Sequence, residues 1–103
     1  MSYSKVVAIL NISEYKLISD ELTSLNVPGI SLSKVQGYGD YVNEYSPNGF
    51  SDSMKVEIYT HTVQAAEIAR VLSGLANDMT EGGGVVAIEP VVELFNVKKL
   101  RDL

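Results

Sequence analysis

The chain has no cysteine and no tryptophan, and its single histidine is His61. Without cysteine there is no disulfide and no thiolate chemistry, and a reducing cytoplasm is the expected location. A structural zinc site normally needs several Cys or His ligands, so we interpret His61 as a surface residue at a helix start rather than a metal ligand. No Ser–His–Asp or Cys–His arrangement is indicated. We therefore predict a protein that is not an enzyme and has no cofactor and no metal.

Basic residues and long apolar runs are scarce as well. Eight Lys and Arg residues against thirteen Asp and Glu residues give a net charge of −5. Nucleic-acid binding relies on clustered basic residues, so this balance argues against it. No segment approaches the roughly 20 apolar residues of a membrane-spanning helix, which argues against membrane insertion. The 103 residues, 46% of them hydrophobic, are expected to form one domain over 1–103.

The order of apolar patterns along the chain indicates a fold class. Apolar residues at helical spacing predict a helix over Glu14–Leu25, capped by Ser13, and another from Thr62 to about Met79. Short β-branched or alternating runs predict four strands. These are Lys5–Leu10, Ile30–Val35, Met54–Thr60 and Val85–Ile88, the last stopped by Pro90. The order βαββαβ predicts an α+β ferredoxin-like sandwich with a C-terminal extension.

The remaining segments suggest a loop and an assembly. Residues Gln36–Ser53 are polar and rich in turn residues, and we predict a mobile loop there. After Pro90, an apolar segment over Val91–Val97 precedes the basic tail Lys98–Arg101. Two helices cover only one face of the predicted sheet, and the chain has nothing left to cover the other, which the alternation predicts to be apolar. A homo-oligomer that buries this second face is therefore expected.

Two glycine clusters stand at the ends of predicted elements. Gly37 and Gly39 bracket Tyr38 after the second strand, and Gly82–Gly84 separate the second helix from the last strand. Glycines let a backbone approach a ligand closely, and such loops can cradle phosphates with backbone N–H groups. Glycines also simply make turns, and either cluster alone is compatible with that interpretation.

The glycine-rich strand end carries a family resemblance. The segment GISLSKVQGYGD, followed by a loop, MKVEIYT, a helix, TEGGGVVAIEP and VVELFNVKK, resembles the P-II signal-transduction family from Lys5 to about Lys99. That resemblance implies a homotrimer that binds adenine nucleotides between subunits. It also implies that a T-loop, here about residues 36–53, contacts a membrane transporter or an enzyme. The segment SDSMKVEIYTHTVQAAEIARV is similar to the P-II-like subgroup associated with bicarbonate transporters and carboxysomes.

Position by position, the resemblance implies a nucleotide site built from several segments. Its members are Ile9 and Ser31 beside the base and ribose, Gly37, Tyr38 and Gly39 at the T-loop root, Tyr59 and Thr60 offering backbone groups to the adenine edge, Gly82, Gly83 and Gly84 around phosphate, and the basic residue Lys98. Tyr41 and Tyr45 in the loop are candidate anchors for a protein partner, because tyrosines often dominate interface energies. They fit packing against the loop's own base equally well.

Departures from the family pattern bear on which nucleotide is bound. The nitrogen regulators have a basic residue followed by Gly-Asp-Gly-Lys where this chain has only Gly-Gly-Gly and Val85, and they have arginines at the positions of Asp40 and Asn96. A charge-assisted hydrogen bond to phosphate contributes roughly 1.5–3 kcal/mol. Fewer basic groups favour AMP, ADP or a cyclic nucleotide over ATP, with bicarbonate as a further candidate effector.

The sequence leaves other functions open. A vestigial pocket or another small ligand is the alternative for the site, and a structural or metal-tolerance trimer without nucleotide binding is the alternative for the protein. An acylphosphatase-type enzyme would need an arginine after the first strand, where this chain has Asn11-Ile12-Ser13. The acidic residues Glu57, Glu89 and Glu93 alternate with apolar residues, which fits exposed strand faces better than a catalytic pair.

Overall fold

The computed structural model describes residues 2–10, 15–24, 27, 29–37, 51–79, 84–97 and 101–102. In chain order its elements are β1 (Tyr3–Leu10), α1 (Tyr15–Thr23), β2 (Ile30–Gly37), β3 (Ser51–His61), α2 (Thr62–Met79), β4 (Gly84–Val91), β5 (Phe95–Asn96) and β6 (Arg101–Asp102). The first six elements have the predicted order βαββαβ, and β5 and β6 form the C-terminal extension.

The first four strands form one antiparallel sheet in the order β2-β3-β1-β4. Val6 at the centre of β1 lies in register with Ile58 of β3 and with Ile88 of β4. The two strands that flank α1, β1 and β2, are not neighbours in the sheet, and neither are β3 and β4, which flank α2. This is the ferredoxin-like topology. The predicted fold class is confirmed. The short strands β5 and β6 pair separately.

The core lies between one face of the sheet and the helices. Successive side chains of a strand point to opposite faces, and on β1 every second residue, from Ser4 to Leu10, is buried. The buried apolar side chains come from β1, β3 and both helices. They are Val6, Ala8, Leu10, Leu22, Met54, Val56, Ile58, Ala65, Ile68 and Leu72. The alternation in the sequence therefore places the core on the helix side.

The hairpin of β2 and β3 is longer than predicted. Gln36 and Gly37 continue β2 and pair with Asp52 and Ser51, and Gln36 Nε2 donates a 3.4 Å hydrogen bond to Asp52 Oδ1. Both ends of the predicted loop over 36–53 are therefore strand, because ladder pairing needs backbone groups rather than apolar side chains. Residues 38–50 lie outside the described part of the chain, and their predicted mobility stays a prediction.

The prediction that Pro90 stops the last strand is wrong. Strand β4 continues to Val91, with Pro90 in register with Ser4 of β1. Proline cannot donate to a ladder and is tolerated on edge strands, where one side has no partner to bond. β4 is an edge strand of this sheet, so the missing N–H is accommodated.

The helices agree with the predicted ones within a few residues. Helix α1 lies inside the predicted range, and α2 has the predicted bounds. Thr62 N–H donates to Ser2 O at 3.1 Å and its hydroxyl lies 3.0 Å from Ser4 Oγ, which ties the start of α2 to β1. His61 ends β3 rather than starting the helix. Within the described residues, no helix combines the length and the apolar character of a membrane span.

Candidate functional site

The side of the sheet away from both helices, which we call the open face, carries the polar and aromatic residues of the strands. It is defined by the strand positions that alternate with the core residues and lie in register across the sheet. Among them are Tyr3, Lys5, Val7 and Ile9 of β1, Ser31, Ser33 and Val35 of β2, Ser53, Lys55, Glu57, Tyr59 and His61 of β3, and Val85, Ala87, Glu89 and Val91 of β4.

Lys5 is the centre of a charged cluster on the open face. Its Nζ lies 2.9 Å from Glu57 Oε2 on β3 and 4.0 Å from Glu89 Oε2 on β4. Lys55 Nζ lies 3.9 Å from the other Glu57 oxygen, and Lys5 Nζ is 5.9 Å from the centre of the Tyr59 ring. The expectation of an apolar face is thus wrong for its middle, which is charged.

The Lys5–Glu57 pair changes the protonation behaviour of both groups. The hydrogen bond from Lys5 lowers the pKa of the Glu57 carboxyl, with the charge of Lys5 adding to the effect. The same bond raises the pKa of Lys5. The pair's contribution to stability is lost as pH falls through the lowered pKa of Glu57 or rises through the raised pKa of Lys5. Solvent still reaches both side chains, so this contribution is at most about 1 kcal/mol in the single chain.

Three residues of the predicted nucleotide site lie on the open face. Ser31 is exposed and in register with Glu57, while Tyr59 is 40% exposed and in register with Lys5. Ile9 is half-buried and in register with Lys55. Ser31 and Tyr59 therefore flank Glu57, and Ile9 lies further along the sheet.

Thr60 has a different environment from its neighbour Tyr59. Its side chain is on the helix side, 1% exposed, and Oγ1 donates a 3.1 Å hydrogen bond to Gln64 Oε1. Only the backbone of Thr60 is available to a ligand. The pairing of β3 with β2 ends at Ile58, opposite Ile30, and β3 continues for three more residues. Backbone groups of a strand point alternately to its two sides, so part of the Tyr59–His61 backbone faces the side beyond this ladder.

Two of the predicted glycines lie at the end of the sheet where β2 and β4 meet the segments 38–50 and 80–83. Gly37 ends β2 opposite Ser51, and Gly84 begins β4 opposite Leu10. Gly84 has φ of 137°, and a Cβ placed there would lie 2.8 Å from the backbone oxygen of Ile9. The conformation and the close approach both require glycine at this position, whether or not phosphate binds.

Within one chain, the described site residues form two separate groups. Gly84 of β4 pairs with Leu10 of β1, and Leu10 pairs with Met54 of β3. Tyr59 lies five residues further along β3 than Met54. At about 3.3 Å per residue, these two positions are about 16 Å apart along the strands. One group is therefore at the loop end of the sheet, with Ile9 beside it, and the other is around Glu57 and Tyr59.

Seven predicted residues cannot be assigned a place. Tyr38, Gly39, Gly82, Gly83 and Lys98 of the nucleotide site, and the candidate partner anchors Tyr41 and Tyr45, all lie outside the described residues.

His61 contacts the first strand at the opposite end of the open face. Its ring is 5.0 Å from the ring of Tyr3, tilted by 30°, and its buried Nδ1 has no hydrogen-bond partner among the described residues. Across the described ranges, no three His, Cys, Asp or Glu side chains are placed to hold a metal ion together.

The charged cluster is the feature that sequence reasoning missed. The patterns of the sequence indicate Glu57 and Glu89 as separate exposed residues, and Lys5 as the first residue of a buried strand. The available signal is local: Lys5 and Glu57 both occupy polar positions of alternating strands. Their contact depends on the register of β1 with β3, which alternation alone does not determine.

Comparisons with known proteins connect this arrangement to a family. The family model described as "Nitrogen regulatory protein P-II" matches residues 3–101. A comparison with curated protein sequences finds no match.

Several solved structures share the fold. Arabidopsis thaliana PII bound to citrate is 22% identical, with a TM-score of 0.76 over 97% of this chain and 87% of that chain. The B. subtilis GlnK–ATP complex is 16% identical, with a TM-score of 0.74 over 97% of this chain and 93% of that chain. A DUF3240 family protein from Shewanella baltica is 21% identical, with a TM-score of 0.71 over 93% of this chain and 97% of that chain. At these identities the likeness establishes the fold alone.

Proposed function

We propose that this chain, which belongs to the nitrogen regulatory protein P-II family, senses an adenine nucleotide and controls a transporter or an enzyme through the loop between β2 and β3. P-II proteins are non-catalytic regulators that respond to effectors rather than use cofactors. The prediction of a regulator that is not an enzyme is thereby confirmed. The nucleotide, the target and the loop's role are the proposal.

The observation that carries the proposal is the position of the predicted site residues. Ser31 and Tyr59 share the open face around Glu57, while Gly37 and Gly84 lie at the loop end of the sheet. Gly84 and Tyr59, the outermost of these residues, are about 16 Å apart along the strands, so no single compact pocket in one chain contacts both. A site at a subunit boundary would join the loop end of one chain to the open face of the next. We therefore propose a homotrimer with nucleotide bound between subunits.

The charges favour an effector with few phosphates. The first strand residue after Gly84 is Val85, 38% exposed on the open face, and not the lysine of the nitrogen regulators. We propose AMP, ADP or a cyclic nucleotide ahead of ATP. On the resemblance of residues 51–71, we further propose the subgroup linked to bicarbonate transporters and carboxysomes, with bicarbonate as a second effector and a cytoplasmic location.

Calorimetric titration of the chain tests the nucleotide proposal. ATP, ADP, AMP and cyclic AMP are titrated separately, each with and without bicarbonate, and we expect at least one of the last three to bind more tightly than ATP. The missing lysine contact alone lowers the affinity for ATP by roughly tenfold or more relative to a site that has it. If none of the four nucleotides binds, the alternative of a structural or metal-tolerance trimer is favoured instead.

Amide exchange tests the regulatory role of the loop. Gln36, Gly37, Asp52 and Ser53 lie in the β2–β3 ladder, so we expect protection among their amides in the free protein. Residues 38–50 offer little apolar surface to offset an ordering cost of roughly 1–2 kcal/mol per residue, so we expect fast exchange there. The best-binding nucleotide should slow exchange next to Gly37. Strong protection throughout 38–50 without nucleotide would contradict the switch and indicate a fixed arm.

A further inference from the structure

We propose that Lys5 allows the open face to be buried against a second copy of this chain, because its positive charge balances the carboxylates of the two flanking strands. This inference rests on the homotrimer proposed above. It adds a residue to which neither the family match nor the predicted nucleotide site assigns a role.

Lys5 lies where it can contact carboxylates on both sides. β1 lies between β3 and β4 in the sheet, so a side chain on it reaches both neighbours. Lys5 Nζ is 2.9 Å from Glu57 Oε2 and 4.0 Å from Glu89 Oε2. Among the described side chains, Lys55 forms an ion pair with Glu57 alone, at 3.9 Å. Among the described ion pairs, those of Lys5 are the ones that link three strands.

The charges of the open face balance one another. The ionised residues of the described open face are Lys5, Lys55, Glu57 and Glu89, two of each sign. The other titratable groups facing Lys5 or its partners are Tyr3 on β1 and Tyr59 and His61 on β3. The face is thus neutral at pH 7 when His61 is neutral. Removing Lys5 alone leaves one carboxylate in excess on every copy.

The balance of charge on the open face matters for assembly because apolar residues surround the charged cluster. Val7, Ile9 and Ala87 lie on the same face, next to the charged cluster. Charges that exchange water for such surroundings must be paired, and breaking one buried pair is strongly unfavourable because the remaining charge stays buried. In the single chain the cluster still contacts solvent, so the effect should appear on assembly rather than on folding.

Sedimentation equilibrium at pH 7.5 with three proteins tests the inference. We expect the wild-type chain to be trimeric, and Lys5→Met to weaken assembly by roughly a hundredfold to a thousandfold. The matched control is Lys34→Met, which removes an exposed lysine of β2 in register with Met54. It should assemble like the wild type. Circular dichroism should show the same secondary structure in all three.

A second variant separates charge balance from simple loss of contact. In the double variant of Lys5→Met with Glu89→Gln, Lys55 and Glu57 remain as an ion pair and the face is neutral again. We expect the double variant to assemble more tightly than Lys5→Met, although it has one more substitution and also lacks the ion pairs of Lys5. A double-mutant cycle with Glu89→Gln alone then gives the coupling between the two positions.

The pH dependence gives a third readout. Without Lys5, one carboxylate of the open face has no cation to balance it, and burial in an interface favours its protonated form, so the assembled form binds more protons. Assembly of Lys5→Met should therefore tighten between pH 7.5 and pH 5. The wild type contains the same His61 and tyrosines, so its own curve supplies the correction for their titration.

The outcomes distinguish this inference from the proposed function. A monomeric wild-type chain would overturn the proposed assembly. A trimeric wild type with an equally trimeric Lys5→Met variant would leave the assembly standing and overturn the role of Lys5. Dissociation of Lys5→Met without recovery in the double variant would also overturn that role, because Lys5 would then act through its contacts and not through its charge.

Discussion

Gly84→Ala is expected to lower the free energy of unfolding by at least about 2 kcal/mol, since an L-residue is strained at this backbone conformation and the new Cβ meets backbone. Gly84 has φ of 137°, and a Cβ there would lie 2.8 Å from the backbone oxygen of Ile9. The backbone cannot easily shift to relieve this contact, because Gly84 is paired with Leu10 at the ends of β4 and β1. The expected fall in melting temperature is about 10 °C for a domain of this size.

The matched control for this substitution is Gly74→Ala. Gly74 lies on an exposed part of α2, and a Cβ added there has nothing within 4 Å. Alanine should stabilise the helix by about 0.5–1 kcal/mol. Both variants are compared with the wild type by thermal unfolding at one protein concentration and without nucleotide, because ligand and assembly shift the transition. Equal melting temperatures for Gly84→Ala and the wild type would contradict the structural requirement for this glycine.

The strands and helices could be predicted because their patterns are local. Val6, Ala8 and Leu10 alternate with residues of the open face, so the run Lys5–Leu10 indicates a strand without any knowledge of its neighbours. Ala65, Ile68 and Leu72 recur at helical spacing, and all three are buried. Element order then restricts the topology to few choices.

The strand ends could not be predicted in the same way. Gln36, Gly37 and Ser51–Ser53 look like loop residues by composition, yet they pair in the hairpin, because backbone bonds and not side chains extend it. Pro90 looks like a strand breaker, but its effect depends on whether β4 is an edge strand or a central one. That property belongs to the whole sheet and is absent from the local sequence.

The candidate site was predictable in part for the same reason. Alternation puts Tyr59 on one face and Thr60 on the other, and the structure has Tyr59 on the open face and Thr60 buried beside Gln64. The contact of Lys5 with Glu57 requires the register of two strands that are far apart in sequence. The separation of Gly84 from Tyr59 also follows only from the register, and it is the observation that favours a site shared between chains.

Val85→Lys is expected to raise affinity for ATP by roughly 10- to 100-fold, because one charge-assisted hydrogen bond to phosphate contributes roughly 1.5–3 kcal/mol. Val85 follows Gly84 directly, and its side chain is on the open face and 38% exposed. It occupies the position where the resemblance places a lysine in the nitrogen regulators. The gain should be largest for ATP, smaller for ADP and smallest for AMP, because the added cation acts on the terminal phosphates.

Val92→Lys is the matched control for this gain. Val92 is 97% exposed and follows the end of β4, at the other end of that strand from Val85. The Val92→Lys substitution adds the same charge to the chain as Val85→Lys. It therefore reports the general effect of a less negative net charge, which salt largely screens over such a distance. Titration of ATP, ADP and AMP into both variants at about 0.15 M salt compares the two effects directly. If Val85→Lys gains no more than Val92→Lys for ATP, the phosphates do not bind beside Gly84, and the nucleotide site must be sought elsewhere on the protein.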